Sequence, residues 1–245
     1  MMKPVHFLAL SIALALLFTL FPGIDRAAAR LFYDPAGGFF LKDWGPVQFS
    51  YHSVQPLVYT LLALLAGLVA IRLLPVPVPT RWRPRWTVIA YIALSLALGP
   101  GLVTNGLLKE HWGRARPAQT VEFGGTKAFS PALIPSNQCS HNCSFVTGHG
   151  AAGFYLVTFA LLMAPGRRRR MAMTGAVALG ALIGLGRMMQ GAHWLSDVVF
   201  SGVFNIAIAW ALYHWIVVRD GLSPPALRRY GATIRDGAKK LSRPD

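Results

Sequence analysis

The stretch WTVIAYIALSLALGPGLVTNGLL (residues 86–108), followed at once by KEHWGRARP (residues 109–117), decides how this chain folds. The first part has no charged residue and is longer than the roughly 20 apolar residues that a helix needs to cross a hydrocarbon core about 30 Å thick. We therefore predict a transmembrane helix over Trp86–Leu108. The second part is strongly basic, so the helix should leave the bilayer where the two parts meet.

Five further stretches have a similar apolar character. They are Val5–Phe21, Val54–Ile71, Phe145–Pro165, Met171–Gly186 and Trp194–Val218. The predicted fold is all-α, a polytopic membrane protein with six transmembrane helices in one bundle and a single domain over residues 1–245. A cleaved signal peptide is an alternative for the first stretch, because Lys3 precedes it and Ala27–Ala29 follow. Its length and the even helix count favour retention.

The composition agrees with a membrane location. The chain is 54% hydrophobic and 13% charged, whereas soluble domains carry about 25% charged residues, so the lipid bilayer has to cover much of its surface. The net charge of +15 suits a nucleic acid, an anionic membrane or a phosphorylated substrate. The basic residues lie in short connections rather than on one face of a soluble module, which argues against a nucleic-acid partner.

The distribution of Lys and Arg predicts the orientation in the membrane. Sixteen of the 24 lie at the two ends of the chain, in or beside the Pro-rich link Pro75–Pro84, and in Arg167–Arg170. This side, with both termini, is predicted to be cytoplasmic. Residues 22–53 and 109–144 then face the periplasm of a bacterial inner membrane. The basic tail, residues 219–245, is predicted to lie on the anionic inner leaflet or to be a solvated disordered tail.

Four basic residues flank helix ends on the predicted outer face, where the same rule disfavours them. They are Lys109, Arg114, Arg116 and Arg187. Ionisable groups at membrane depth cost about 3 kcal/mol each and indicate a functional site by default. Guanidinium groups match phosphate oxygens in bidentate geometry, and lysine adds a point charge. The alternative is a belt of basic side chains that snorkel to the headgroups, which we favour for Arg114 and not for the others.

Residues 187–197, RMMQGAHWLSD, join the fifth predicted helix to the sixth. His193 and Asp197 are four residues apart and would share one face of a helix. The carboxylate can then accept the proton of one imidazole nitrogen and leave the other nitrogen free as a nucleophile. Gly191 permits a sharp turn before them. An interfacial histidine beside a helix-capping aspartate is the alternative.

Residues 144–149, SFVTGH, begin the fourth predicted helix. Helix N-termini present unpaired N–H groups to an anion, Gly148 allows close approach, and the hydroxyls of Ser144 and Thr147 add donors. His149 suits acid–base chemistry near neutral pH. A helix cap with an incidental histidine is the alternative.

All three clusters fall on the same predicted membrane face. Together they hold cations, backbone donors, two imidazoles and one carboxylate, which suits attack on a phosphoryl group. Apart from His193 and Asp197, no helix pairs histidines or carboxylates at metal-ligand spacing. We therefore predict neither a metal nor another cofactor.

The ordered motifs Lys109-x6-Arg116-Pro117, Thr147-Gly148-His149 and Arg187-x5-His193-x3-Asp197 resemble those of the type 2 phosphatidic acid phosphatase (PAP2) superfamily. The resemblance implies a metal-independent phosphatase with a phosphohistidine intermediate. It implies that His193 attacks phosphorus and is held by Asp197, and that His149 protonates the leaving oxygen. The predicted phosphate-binding residues are Lys109, Arg116, Ser144, Thr147, Gly148 and Arg187.

Two positions depart from the family pattern. Val146-Thr147 stands where Pro-Ser is usual, and threonine keeps the hydroxyl. Gly186 stands where the residue before the motif arginine is usually serine, so one potential donor is missing.

Cys139 and Cys143 flank Ser140–Asn142 in the segment that is predicted to face the periplasm. In an oxidising compartment a disulfide is the simplest interpretation, and it would stiffen the chain just before Ser144. A zinc site that uses His141 would lack a fourth ligand nearby.

A site at headgroup depth predicts a phosphorylated membrane lipid as substrate. The segments 123–144, Phe21–Asp25 and Leu31–Tyr33 resemble the branch that contains lipid A phosphatases. A phosphatase acting on undecaprenyl pyrophosphate or phosphatidylglycerophosphate, or a lipid phosphotransferase, would use the same chemistry. A protein that only binds anionic lipid would explain the cations but would give the two histidines and Asp197 no role. The sequence indicates no oligomeric state.

Overall fold

The computed structural model describes residues 4–75, 79 and 83–219, and this part of the chain is mostly helical. The predicted positions of Arg81, of most of the Pro75–Pro84 link and of the tail beyond Arg219 lie outside the described residues. The helices are α1 (Pro4–Leu20), α2 (Gly23–Arg30), α3 (Gly45–His52), α4 (Val54–Leu73), α5 (Trp86–Leu96), α6 (Lys109–His111), α7 (Gly148–Phe154), α8 (Val157–Leu162), α9 (Arg167–Met189) and α10 (Leu195–Leu212). π-helical turns over Ala97–Leu108 and Tyr213–Val218 continue α5 and α10, and short 3₁₀ turns occupy Pro117–Gln119 and Val121–Phe123.

Four continuous helical stretches are long and apolar enough to cross a membrane. They are Gly45–Leu73, Trp86–His111, Arg167–Met189 and Leu195–Val218. The pair α1–α2, which bends by 81° between its two helices, would make a fifth, and Gly148–Leu162 is apolar but shorter. The predicted all-α membrane architecture is therefore confirmed, whereas the count of six spans is not.

The predicted start of the second helix at Val54 is confirmed by α4, and α3 extends the same apolar stretch back to Gly45 with hydrogen bonds across Ser53. Two other predicted helix boundaries were wrong. The fifth begins at Arg167, so the predicted turn Arg167–Arg170 is the first turn of α9, where long basic side chains can reach past the apolar layer. The fourth begins at Gly148, because residues 145–147 are not helical.

The first two helices are integral to the bundle. Phe18 on α1 is 3% exposed and packs in a cluster with Phe145, Val146 and Phe200. Asp25 on α2 is completely buried. Cleavage after Ala27–Ala29 would remove both contacts, so this packing favours retention of the first segment.

The segment between α6 and α7 covers one end of the bundle and is mostly irregular, apart from its two short 3₁₀ turns. Its backbone is held by specific hydrogen bonds, among them Trp112 Nε1 to the Ala132 carbonyl at 2.7 Å and Ser136 Oγ to the Gly113 carbonyl at 2.7 Å. Gly113 has a φ of +71°, and a Cβ there would collide with the Ser136 backbone, so this turn needs glycine. Beside it, residues 33–39 form a two-stranded hairpin, Tyr33–Asp34 with Gly38–Phe39.

Glycine allows α7 and α9 to pack closely. A Cβ at Gly153 would lie 2.6 Å from the Cα of Gly180, and a Cβ at Gly180 would collide with the Phe154 ring. Such close backbone approach is typical of helix pairs in membranes. It brings the start of α7 next to the end of α9, where two of the three motifs lie.

Candidate active site

His193 lies between α9 and α10 and is 1% exposed. Its Nδ1 is 2.7 Å from the Ser144 carbonyl oxygen. Because a carbonyl can only accept, Nδ1 carries the proton, and Nε2 keeps its lone pair. Gly191, with a φ of +65°, makes the turn that brings this histidine back toward the bundle. The geometry thus leaves the other imidazole nitrogen with a free lone pair.

Asp197 is buried beside His193. Its carboxylate, however, does not accept the imidazole proton directly. Its Oδ2 is 3.6 Å from His193 Nδ1, which is too long for a hydrogen bond. The same oxygen accepts hydrogen bonds from Ser144 Oγ at 2.5 Å and from Trp194 N at 2.8 Å. Asp197 therefore holds the residues on either side of the imidazole, and the Ser144 carbonyl sets the tautomer.

Arg114 is completely buried, so the prediction that it snorkels to the headgroups was wrong. Its guanidinium group donates to Asp197 Oδ1 at 2.6 Å and to Asp25 Oδ2 at 2.7 Å. Asp25 also accepts from the backbone N and the hydroxyl of Ser196. Two carboxylates that oppose one guanidinium group make its burial possible. No sequence pattern indicates this network, because Asp25 and Arg114 are 89 residues apart.

Ser144 was predicted to bind phosphate, and its hydroxyl instead donates to Asp197. That proton is therefore not available to a phosphate oxygen.

The start of α7 carries Thr147, Gly148 and His149. Thr147 Oγ1 caps the helix by accepting from Gly150 N at 3.3 Å. A Cβ at Gly148 would lie 2.7 Å from Asn105 Oδ1, so glycine is needed for the close approach of the π-helical turn that precedes Lys109. His149 and His193 lie close enough for the charge of one to act on the other.

Backbone hydrogen bonds join the three motifs. Cys143 N and Ser144 N donate to the carbonyls of Lys109 and Arg114, and Thr147 N donates to the carbonyl of Asp197. Each motif is thus fixed to the next by main-chain contacts that do not depend on a ligand.

Three cations surround the two imidazoles. Lys109 is 8% exposed and Arg187 is 9% exposed. Arg116 donates to the Asn142 carbonyl at 2.9 Å, and Arg187 donates to Gln190 Oε1. Arg187 Nε is buried without a hydrogen-bond partner in the described part of the chain. A buried unpaired donor is costly, and an anion in this space would satisfy it.

Burial affects the protonation of the site. Burial lowers the pKa of His193 to about 4, against the opposing effect of the Asp197 carboxylate, and the charges of Lys109 and Arg187 lower it further. Burial also lowers the pKa of Arg116. His193 is consequently neutral at physiological pH, as a nucleophile must be.

Two cavities reach this cluster. One, of about 670 Å³, runs between α4 and the α5 helix with its π-helical continuation, has mainly apolar walls, and ends at Lys109, Gly148 and His149. The other, of about 360 Å³, is lined by Arg116, Arg187 and the polar residues Lys42, Asp43, Gln48, Gln119 and Gln190. The cluster can therefore be reached through one apolar cavity and one polar cavity.

Tyr51, which was not predicted from the sequence, also belongs to the site. Its ring stacks on His149 with centroids 4.8 Å apart, and the guanidinium carbon of Arg187 lies 4.6 Å from its centroid. Its neighbour Ser50 occupies the space beside Gly186, where a Cβ would collide with the Ser50 hydroxyl. A hydroxyl thus lies where the family pattern would place a serine side chain.

Cys139 and Cys143 form a disulfide. The loop that it closes contains Asn142, the carbonyl of which accepts from Arg116. Over residues 4–75, 79 and 83–219, no three His, Cys, Asp or Glu side chains are grouped so as to hold a metal ion.

The structure therefore brings seven predicted residues to one place. They are Lys109, Arg116, Thr147, Gly148, His149, Arg187 and His193. A buried hydrogen-bonded network supports this group. It consists of Ser144, Asp197, Arg114 and Asp25.

Comparison with known proteins identifies one matching family and three similar proteins. The sequence profile of the PAP2 superfamily matches residues 85–220. A lipid A 4′-phosphatase of Francisella tularensis subsp. novicida is 36% identical over 199 residues, which cover 80% of this chain and 87% of that protein. A lipid A 4′-phosphatase of Rhizobium etli is 32% identical over 217 residues, 82% of each chain. One of Rhizobium leguminosarum is 40% identical over 118 residues, 48% of this chain and 50% of that protein. No solved structure matches this chain significantly.

Proposed function

This chain belongs to the PAP2 superfamily and is a membrane lipid phosphatase, and we propose that it removes the 4′-phosphate of lipid A. The observation that carries this proposal is the agreement between two relatives named lipid A 4′-phosphatase, each matched along most of its length, and a site that holds a neutral histidine among three cations. The phosphate group would lie between the two imidazoles.

The proposed reaction has two steps. The Nε2 lone pair of His193 attacks phosphorus in line, the bond between phosphorus and the sugar oxygen breaks, and His149 gives its proton to that oxygen. Water, deprotonated by His149, then attacks the phosphohistidine and releases inorganic phosphate. The N–H···O bond from His193 to the Ser144 carbonyl supports the first step, because it leaves Nε2 unprotonated.

Lys109, Arg116 and Arg187 would neutralise the phosphoryl oxygens, with further donors from Thr147 and the backbone of Gly148. The buried and unpaired Arg187 Nε supports this role, since a phosphate oxygen would give it the acceptor that it lacks.

The lipid would reach the site from the bilayer. The apolar cavity between α4 and α5 ends at Lys109 and His149, so acyl chains in this cavity would leave the phosphate at the cations. The polar cavity beside Arg116 and Arg187 would admit water and release phosphate.

We also propose six spans, with α1–α2 and Gly148–Leu162 completing the bundle, and the site on the periplasmic face of a bacterial inner membrane. The basic start of α9 lies at the opposite end of that helix from Arg187, which supports a cytoplasmic position for Arg167–Arg170 under the positive-inside rule. Both termini would then be cytoplasmic.

The test is purification of the full chain in detergent and incubation with lipid A in the presence of a chelator. Mass spectrometry should show the loss of one phosphate, and fragmentation should place the loss at the 4′ position. Quenching of a reaction with ³²P-labelled lipid in alkaline SDS should trap a base-stable, acid-labile phosphoenzyme in the wild type and none in His193→Ala. His149→Ala should lower kcat by about 10²–10⁴-fold.

Different outcomes would separate the alternatives. Faster hydrolysis of undecaprenyl pyrophosphate or phosphatidylglycerophosphate than of lipid A would replace the proposed substrate and keep the chemistry. Transfer of phosphate to a second lipid would make the protein a phosphotransferase. Unchanged turnover in His193→Ala would remove the proposed nucleophile, and binding without turnover of any of these lipids would leave an anionic-lipid-binding protein.

A further inference from the structure

A single aromatic ring contacts two groups that the proposed reaction uses. The Tyr51 ring is nearly parallel to the His149 imidazole, with an interplanar angle of 18° and centroids 4.8 Å apart. The guanidinium carbon of Arg187 lies 4.6 Å from the centroid of the same ring. Stacking and cation–π contacts at these distances are attractive and restrict the orientation of both partners.

The packing of helix α3 against α9 places Tyr51 in the site. Helix α3 lies against α9 beside Gly186, where the absence of a side chain leaves room for Ser50. Val47 on the same helix is 3% exposed, and its carbonyl accepts a hydrogen bond from the Ser50 hydroxyl at 2.8 Å. Tyr51 follows at once, so the packing of Ser50 at Gly186 places the backbone from which the phenol ring extends, and the ring, 36% exposed, is held by His149 and Arg187.

We propose that Tyr51 is a positioning residue, the ring of which holds the His149 imidazole in the orientation needed for proton transfer and holds the Arg187 guanidinium group toward the phosphate. This inference rests on the proposed function, in which His149 is the proton donor. Both contacts are made by the ring face and not by the phenol hydroxyl, so phenylalanine should replace tyrosine and an aliphatic residue should not.

The experiment compares Tyr51→Leu with Tyr51→Phe in the full-length protein, using two substrates. Lipid A has an alcohol leaving group, which needs a proton, whereas an amphiphilic nitrophenyl phosphate has a phenolate leaving group, which does not. Because kcat/KM reports only the steps up to departure of the leaving group, it isolates formation of the phosphohistidine. Tyr51→Leu should lower kcat/KM on lipid A by about tenfold, which is the usual size of such ring contacts. The same variant should lower kcat/KM on the nitrophenyl substrate less, by no more than about fivefold, because only the contact with Arg187 affects that step. Tyr51→Phe should retain the wild-type kcat/KM on both within about threefold.

The contact with Arg187 has a separate measurement. Orthovanadate, a phosphate analogue, should inhibit Tyr51→Leu more weakly than wild type, with a Ki about fivefold higher. Tyr51→Phe should keep the wild-type Ki. Phe49→Leu is the matched control, because Phe49 is on the same helix and 75% exposed; it should leave both kcat/KM and Ki unchanged.

A purely structural role for Tyr51 would lower kcat/KM on both substrates by the same factor, and this result would overturn the inference. So would a Tyr51→Phe variant as impaired as Tyr51→Leu, or an unchanged vanadate Ki. His149→Ala separates this inference from the proposed function. If His149→Ala lowers kcat/KM equally on both substrates, His149 is not the proton donor. If it is impaired on lipid A alone while Tyr51→Leu is not, the reaction stands and only the positioning role of Tyr51 fails.

Discussion

Replacement of Arg114 by methionine tests whether the buried Asp25–Arg114–Asp197 network supports the site. Arg114 is completely buried and forms ion pairs of 2.6 and 2.7 Å with two carboxylates that are also completely buried. Methionine fills a similar space but leaves both carboxylates without their cation. Breaking a buried ion pair costs about 3–5 kcal/mol, so the variant should lose at least that much stability. For a chain of this length, this corresponds to a fall in Tm of about 6–20 °C.

The same substitution should reduce activity through His193. Asp197 holds Ser144 and Trp194 on either side of the imidazole, and its own position depends on Arg114. A displacement of about 1 Å at a reacting group can cost about 10²-fold in rate, so kcat should fall by at least that factor while the fraction of folded protein at 25 °C stays high. Lys127→Met, in the same outer segment but exposed, is the control and should change neither quantity.

Thermal unfolding in one detergent, followed by tryptophan fluorescence, measures the stability of wild type, Arg114→Met, Asp25→Asn and the double variant. Because Asp25 and Arg114 are direct partners, the double variant should lose about 1–3 kcal/mol less than the sum of the single losses. Additive losses would refute the pairing. A Tm of Arg114→Met within about 2 °C of wild type would refute the cost assigned to the buried carboxylates.

Three further predictions concern His193, the disulfide and Gly186. The folded protein keeps His193 neutral down to a pKa of about 4, whereas an unfolded histidine takes up a proton near pH 6.5, so the unfolded state binds more protons between these values. Stability should therefore fall as the pH is lowered from about 6.5 to 4, and this fall should be smaller in His193→Asn when both are unfolded at pH 4.5 and 7.5. Replacing Cys139 and Cys143 by serine should lower stability by about 2 kcal/mol. It should also raise KM, because the loop that they close holds Arg116, which is proposed to bind the phosphate. An unchanged KM in a lipid A assay would contradict this, and thiol labelling of the untreated wild type should detect no free cysteine. Gly186→Ser should lower Tm and kcat because its side chain collides with the Ser50 hydroxyl, and adding Ser50→Ala should restore both; a double variant no better than Gly186→Ser would show that the collision is not the cause.

The membrane spans were the most predictable part of the fold, since a long run without charge has few other interpretations. Trp86–Leu108 was predicted within a few residues of the helical stretch Trp86–His111. The errors lie where apolar periodicity stops being informative. Helix α3 is short and mixed in polarity, and it was assigned to an outer loop. The four arginines at the start of α9 were assigned to a turn, because a helix with a charged first turn looks like a connection when only hydropathy is considered.

The residues of the site also fall into a group that was predictable from the sequence and a group that was not. Residues that are proposed to contact the phosphate have to be particular chemical types at particular spacings, and these were visible as three motifs. The residues that hold them were not visible, because their only requirement is to fit their partners. Asp25 looks like one acidic residue in a predicted loop, Arg114 looks like one more interfacial arginine, and Tyr51 looks like an aromatic residue near the bilayer surface. Nothing in a single sequence indicates that the first two meet or that the third stacks on His149.

The charges in the site explain why the pairing of Arg114 with Asp197, which the sequence does not reveal, matters for catalysis. Over the described ranges, Lys109, Arg116 and Arg187 form no ion pair with a carboxylate, and the nearest buried carboxylate, Asp197, is already paired with Arg114. Without substrate, the site therefore keeps an excess of positive charge in a region of low dielectric, which is unfavourable and which a phosphate dianion relieves. If Arg114 were absent, Asp197 would be free to attract these cations away from the phosphate position. In the proposed mechanism, Arg114 occupies Asp197 and so leaves all three cations for the phosphate, although Arg114 does not itself contact that group.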